Sequence, residues 1–203
     1  MTTAKPINLF HKAQVEPQLS TQQTDSILLA RIARHERPAL SEFYNRFHLR
    51  LFGYLFRITG NHFVAEDVLQ EVMLVVWQKA NSYKGDGKPS TWVFGIAHNL
   101  ALAALRRDRT SDWLNWDDTD QTESNDDLLE ESVIQQATAE AVIKAMSKLS
   151  PEHRAVLELV FYQEFSCKEI ATIIQVPEGT VKSRLSYARK LLKAGLISGR
   201  EEM

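Results

Sequence analysis

The placement of helix-breaking residues constrains this chain more than any other feature. It contains 8 glycines and 6 prolines in 203 residues, and they gather where apolar residues stop recurring at helical spacing. Such a chain folds as helices joined by turns, so the sequence predicts an all-α protein. An amphipathic segment runs from Asp25 to about Arg34, with Ile27, Leu28 and Ile32 on its apolar side. A second starts after Pro38, a natural first-turn residue, and carries Leu40, Phe43, Tyr44, Phe47, Leu51 and Leu55. Gly60-Asn61 ends it, and a third helix is predicted over Ala65 to Lys79. A Gly/Pro-rich loop from Tyr83 to Ser90 then leads into a fourth, from about Thr91 to Arg107.

These four helices make one small domain over residues 24–109, preceded by a flexible tail over 1–23. A second helical domain is expected over 132–198, with a short tail over 199–203. Periodic apolar residues return from Ser132 to Met146. Ser150-Pro151-Glu152 then reads as an N-cap, a first-turn proline and a first-turn acid, opening a helix through Phe161. Another helix is expected over Cys167 to Ile174, and a last one from Glu178 to about Ala194, stopped by Gly195.

Charge is segregated along this order. Residues 1–109 hold 14 Lys+Arg against 9 Asp+Glu, residues 110–143 hold 10 acids and no base, and residues 144–203 hold 10 bases against 7 acids. The net charge of -2 therefore conceals two basic blocks around an acidic connector. Phosphate binding responds to local potential, which keeps both blocks eligible as nucleic-acid surfaces. The connector over 110–131, rich in Ser, Thr, Asn and Asp, is expected to be flexible. Within it, Trp113, Leu114 and Trp116 are either a docking motif or a local hydrophobic tuck.

Several functional classes are disfavoured. No apolar run approaches the roughly 20 residues of a membrane span and no signal sequence is evident, so a cytoplasmic location is expected. One cysteine, Cys167, excludes an internal disulfide and supports no Cys/His metal site. It reads as structural or as a redox sensor. His11, His35, His48, His62, His98 and His153 show no ligand or dyad spacing. No catalytic residue, metal or cofactor is expected, and the chain is not read as an enzyme.

Three stretches carry chemistry. The segment FSCKEIATIIQVPEGTVKSRLSYARKLL, Phe165 to Leu192, has helix-turn-helix proportions. Val181, Leu185, Ala188 and Leu192 would face inward, leaving Thr180, Ser183, Arg184 and Tyr187 exposed beside Lys182, Ser186, Arg189 and Lys190, either as a DNA-reading face or as a solvated basic one. In the third helix Leu69, Val72 and Val76 point inward, while Asp67, Gln70, Glu71, Leu74 and Gln78 share another face. A mixed acidic and apolar stripe suits a protein partner better than DNA; its alternative is an ordinary solvated face with one stray leucine. The fourth helix sets Val93, Ala97, Leu100 and Ala104 on one row. Trp92, Ile96, Asn99, Ala103 and Arg106 lie on another, ending in Arg106-Arg107-Asp108-Arg109. Such a row is suited to single-stranded DNA, with Trp92 serving either as stacking platform or as core.

The order of DSILLARIARHERPALSEFYNRF, AEDVLQEVMLVVWQKA, YKGDGKPSTWVFGIAHNLALAALRR and LSPEHRAVLELVFYQEFSCKEIATIIQVPEGTVKSRLSYARKLL resembles the extracytoplasmic-function group of the sigma-70 family. This resemblance implies a region 2 of four helices and a region 4 with a helix-turn-helix. It also implies a transcription initiation factor that binds core RNA polymerase and directs it to specific promoters. Asp67, Gln70, Glu71, Leu74 and Gln78 then fall on the polymerase-binding helix. Ser90, Thr91, Trp92, Asn99, Ala103, Arg106 and Arg107 fall on the elements that capture a base of the melted -10 strand. Thr180, Lys182, Ser183, Arg184, Ser186, Tyr187 and Arg189 fall on the helix that reads the -35 duplex. The implied partners are core RNA polymerase, promoter DNA and an anti-sigma factor. Gly87-Lys88-Pro89 and the Ser186-Tyr187 pair depart from many relatives, so the promoter sequence does not transfer with the resemblance. A helix-turn-helix regulator is the rival reading, but it leaves AEDVLQEV and TWVFGIAHN without a role.

Overall fold

In the computed structural model, residues 21–111, 146 and 149–201 are described, and all regular structure among them is helical. The first four long helices are α1 (Thr21–Ile32), α2 (Arg37–Thr59), α3 (His62–Lys79) and α4 (Pro89–Ser111), with a 3-10 turn at Ala80–Ser82 before the last. Three more follow: α5 (Pro151–Phe161), α6 (Cys167–Ile173) and α7 (Glu178–Glu201). Helix α1 starts earlier than the expected Asp25, and α4 runs past the expected Arg107. The acidic connector beyond Ser111, with Trp113, Leu114 and Trp116, lies outside the described residues, as does the apolar segment from Ser132 up to Met146.

Local chemistry sets most of the helix ends. At the α2/α3 corner Gly60 adopts a left-handed φ of 74° and its N–H donates to the Phe56 carbonyl, a conformation that favours glycine. The next residue, Asn61, accepts from the backbone N–H groups of Phe63 and Val64 at 2.9 and 3.2 Å. Two adjacent residues thus close one helix and open the next. Ser150 caps α5 with Pro151 in the first turn, as expected. Ser166 and Glu169 form a reciprocal capping box at α6. The last helix differs from expectation, because Gly195 does not stop it. An interior glycine costs only about 1 kcal/mol, and no proline follows.

Helices α1 to α4 pack around Leu28, Leu29, Phe43, Phe47, Leu51, Tyr54, Leu55, Val72, Val76, Val93 and Ala97, all buried. Asp25 on α1 is tied to Arg46 on α2 at 2.7 Å. Burial raises the Asp25 pKa while Arg46 opposes that shift. Helices α5 to α7 enclose Val156, Leu159, Ile170, Ile173, Val181, Leu185 and Ala188. The two helical groups also meet: α5 lies against α2, and α6 against α4. One apolar core therefore runs through both.

Candidate nucleic-acid and protein interfaces

The expected division of α3 is present in space. Leu69, Val72 and Val76 are buried, together with Ala65, Val68 and Met73. On the opposite side Asp67, Gln70, Leu74 and Gln78 are exposed. Leu74 is 54% exposed, a large apolar side chain left in water amid acids and amides. Glu71 is half-buried and lies 3.6 Å from Arg107 of α4. Glu71, Ala103, Arg106 and Arg107 line an open depression where the two helices meet. The α3 stripe and the arginine end of α4 therefore form one continuous surface.

Helix α4 carries three faces rather than the expected two. Val93, Ala97, Ala101 and Ala104 enter the core, with Leu100 packed against it. A second row holds Trp92, Ile96, Asn99, Ala103 and Arg106; Asn99 and Arg106 are exposed and Ala103 half-buried. Trp92 is partly buried against the core, with its ring 5.9 Å from that of Tyr83. The Tyr83 hydroxyl donates to the Gly87 carbonyl at 2.5 Å, closing the loop that precedes α4. The third row holds Thr91, Phe94, Gly95 and His98, and its middle meets the second unit: Phe94 lies edge-on to Phe165, just before α6, at 5.2 Å, and a Cβ at Gly95 would lie 3.7 Å from the carbonyl of Ile173 in α6.

This third row separates two residues expected to act together. Ser90 is half-buried at the start of α4, but Thr91 is only 8% exposed, and its hydroxyl has no hydrogen-bond partner among the described residues. His98, two turns further along the same row, is buried as well, its Nδ1 2.8 Å from the Tyr54 hydroxyl. Burial first, and then the positive charge of Arg184, lower the His98 pKa to about 4, against a smaller opposing effect of Glu152. The ring is therefore neutral near pH 7. Burial and the charge of Glu158 hold the Tyr54 phenol far above its ordinary value, so a protonated phenol and a neutral imidazole share this short hydrogen bond.

On α7 the inward row is as expected, with Val181, Leu185 and Ala188 buried and Leu192 packed against the core. Lys182, Ser183, Ser186, Tyr187 and Arg189 are exposed, and Thr180 is half-buried. Lys182 pairs with Glu178 at 2.7 Å. The hydrogen bond and charge of each partner lower the pKa of Glu178 and raise that of Lys182. The Ser183 hydroxyl donates to the Thr180 carbonyl at 3.0 Å. Tyr187 packs beside His153, and Arg189 lies over Phe161. Arg184 departs from the expected exposed face. It is half-buried, with Glu152 and His98 as charged or titratable neighbours.

Sequence reasoning missed a group of residues between the two helical units. Arg57 and Glu158 form an ion pair at 2.6 Å, Lys88 and Glu169 another at 2.7 Å, and Arg50 donates to Gln163 at 3.1 Å. Gly95, a glycine inside a helix, is the one member that the sequence signals, because such glycines commonly serve close packing. Among the described residues no cluster of His, Cys, Asp and Glu is arranged to hold a metal, and no helix is long and apolar enough to cross a membrane.

Comparison with known proteins agrees with this geometry. Residues 43–110 match Sigma-70 region 2 and residues 145–194 match Sigma-70, region 4. The ECF RNA polymerase sigma factor SigL of Mycobacterium tuberculosis is 32% identical over 165 residues, covering 81% of this chain and 92% of its own. The structure of CnrH in complex with the cytosolic domain of CnrY superposes with a TM-score of 0.63 at 20% identity, covering 86% of this chain and 98% of that one. The sigma factor RpoE of Bartonella quintana, co-crystallised with the anti-sigma factor NepR, gives a TM-score of 0.60 at 24% identity, covering 76% of this chain and 96% of that one. With both conserved regions in order and a relative matched over nearly its whole length, the chain belongs to the ECF sigma factors of the sigma-70 family.

Proposed function

We propose that this chain is the promoter-specificity subunit of RNA polymerase for one class of promoters, with its tasks divided among three helices. Asp67, Gln70, Glu71, Leu74 and Gln78 of α3 bind the core enzyme. Trp92, Asn99 and Ala103 hold an unstacked base of the -10 strand, Ser90 shapes the entrance with the buried Thr91 supporting it, and Arg106 and Arg107 hold the adjoining phosphates. Unstacking a base costs a few kcal/mol, and a shaped pocket offsets that cost while selecting the base. Thr180, Lys182, Ser183, Arg184, Ser186, Tyr187 and Arg189 of α7 read the -35 duplex in the major groove.

The observation that carries this reading is the junction of the α3 stripe with the α4 row at Glu71 and Arg107. A protein-facing and a nucleic-acid-facing surface share one edge there, as a factor that melts DNA on the polymerase requires. The chain then supplies recognition and no catalysis, and it works in the cytoplasm, where polymerase and promoter meet. An anti-sigma factor is part of the same reading, supported by the fold shared with a sigma factor crystallised with one.

The test is reconstituted transcription on genomic DNA with core polymerase and the purified chain. Initiation at promoters that core alone ignores is the expected result. Tight binding to a duplex operator without any initiation would replace this reading with that of a conventional regulator.

A further inference from the structure

Two side chains on the exposed face of α7 rest on rings that belong to another helix. Tyr187 is 53% exposed, yet its ring lies 4.8 Å from that of His153, tilted at 45°. Arg189 is exposed too, and its guanidinium lies over the Phe161 ring at 5.2 Å. Both supports stand on α5, His153 in its first turn and Phe161 at its last residue. His153 is itself anchored, because its Nδ1 shares a 2.7 Å hydrogen bond with the hydroxyl of Ser150, the cap of α5. Phe161 is 56% exposed and lies outside the core, with its ring turned to Arg189.

The two held side chains mark opposite flanks of α7. Residues two apart lie roughly 200° apart around a helix at about 100° per residue, so Tyr187 falls on the flank of Thr180 and Arg184, and Arg189 on that of Lys182. Helix α5 packs on the buried side of α7, and each of its ends reaches round to one flank. Its two supports are eight residues apart. That is about 12 Å at about 1.5 Å per residue, comparable with the width of the major groove, about 12 Å. Tyr187 and Arg189 also lie beyond the second turn of α7, past the N-terminal residues of a recognition helix that reach base edges. From there a phenol and a guanidinium meet phosphates, and phosphate contacts set the register and orientation of a reading helix.

We propose that His153 and Phe161 are positioning residues for -35 recognition. From α5 they hold the Tyr187 hydroxyl and the Arg189 guanidinium at the two edges of the groove, one for a phosphate of each strand, and so set how Thr180 and Ser183 meet the bases between. Neither ring touches the DNA. The inference rests on the -35 role of α7 given above, and it adds to that role two residues from outside the recognition helix. A ring suits each task. The face of Phe161 attracts the cation while leaving guanidinium N–H groups free to donate, and His153 is a flat, anchored wall that limits the swing of the phenol. A side chain ordered before binding spares the complex the cost of ordering it there.

The test is a pair of double-mutant cycles on the full-length chain, read by fluorescence anisotropy against a duplex that this chain selects from a random-sequence pool. Phe161→Leu should weaken binding about two- to fivefold, with helicity by circular dichroism unchanged, and Phe161→Tyr should restore it. His153→Ala should weaken binding by a similar factor, and His153→Phe should restore most of it. In an Arg189→Gln background Phe161→Leu should cost nothing further, and in a Tyr187→Phe background neither should His153→Ala. Salt dependence separates holding from contact. Arg189→Gln should lower the slope of log affinity against log salt by about 1, whereas Phe161→Leu should lower affinity with the slope unchanged. Equal losses with and without the partner side chain would overturn the proposal, since the rings would then act on α7 as a whole. Single variants that bind like the parent chain would also overturn it, leaving two surface contacts only. If no duplex is selected, the -35 reading fails together with this inference. If both cycles show the coupling but the chain initiates no transcription, the positioning stands and the proposed function fails.

Discussion

At the scale of single residues, the Tyr54–His98 pair makes stability depend on pH. His98 is 4% exposed, and its pKa lies near 4, below its ordinary value of 6.5. The unfolded chain therefore binds the proton more readily than the folded one. The stability that the neutral ring supplies is complete above about pH 6.5, and it falls as pH drops through the window between 6.5 and 4. Between pH 7 and pH 5 the expected loss is about 2 kcal/mol, read from urea unfolding midpoints, and His98→Asn should remove this increment. Tyr54→Phe leaves Nδ1 of the ring buried without its hydrogen-bond partner, at a cost of about 1 to 3 kcal/mol, measurable at pH 7. Arg184 links this pair to the proposed DNA face. Since its charge helps to lower the His98 pKa, Arg184→Ala should raise the imidazole pKa by NMR titration.

At the scale of elements, periodicity made α3 legible and α4 only partly so. The α3 sequence sorts into apolar and mixed faces by spacing alone, and both faces lie where the spacing puts them. The expected roles follow that division: Asp67→Ala with Glu71→Ala should weaken core binding at least tenfold by fluorescence anisotropy. Duplex binding by α7, measured with the same full-length variant, should be unaffected. In α4 the row of Thr91, Phe94, Gly95 and His98 looks like a continuation of the apolar face, and no local pattern assigns it to a separate partner. Glu158 was illegible for a related reason. An acid between Leu157 and Leu159 reads as a solvated position, and only the arrival of Arg57 from a distant helix makes its burial tolerable. Capping, by contrast, is written locally: Ser150 acts where the sequence places it, and Asn61 and Ser166 cap through backbone groups two or three residues away. For α7 the DNA test is Arg184→Ala, which should weaken -35 duplex binding by about 1 to 3 kcal/mol if the guanidinium makes a bidentate base contact; an unchanged affinity removes it from that face.

At the scale of the whole molecule, the continuous core predicts how the chain melts. Two small helical domains joined only by a linker unfold independently, each with its own midpoint. Here Phe94, Phe165, Ile173 and Glu158 are buried between the two units, so separating them exposes apolar surface and costs the Arg57–Glu158 pair. That coupling should make the free chain unfold in one cooperative transition by calorimetry, with calorimetric and van't Hoff enthalpies in agreement. Glu158→Arg places two guanidinium groups against each other and removes the coupling, so its melt should resolve into two transitions, each carrying part of the original enthalpy. On the function proposed above, core polymerase docks on the exposed face of α3 and should stabilise the first unit by mass action. A chain that already melts in two steps without substitution would mean that the packing contributes too little to hold the units together in solution.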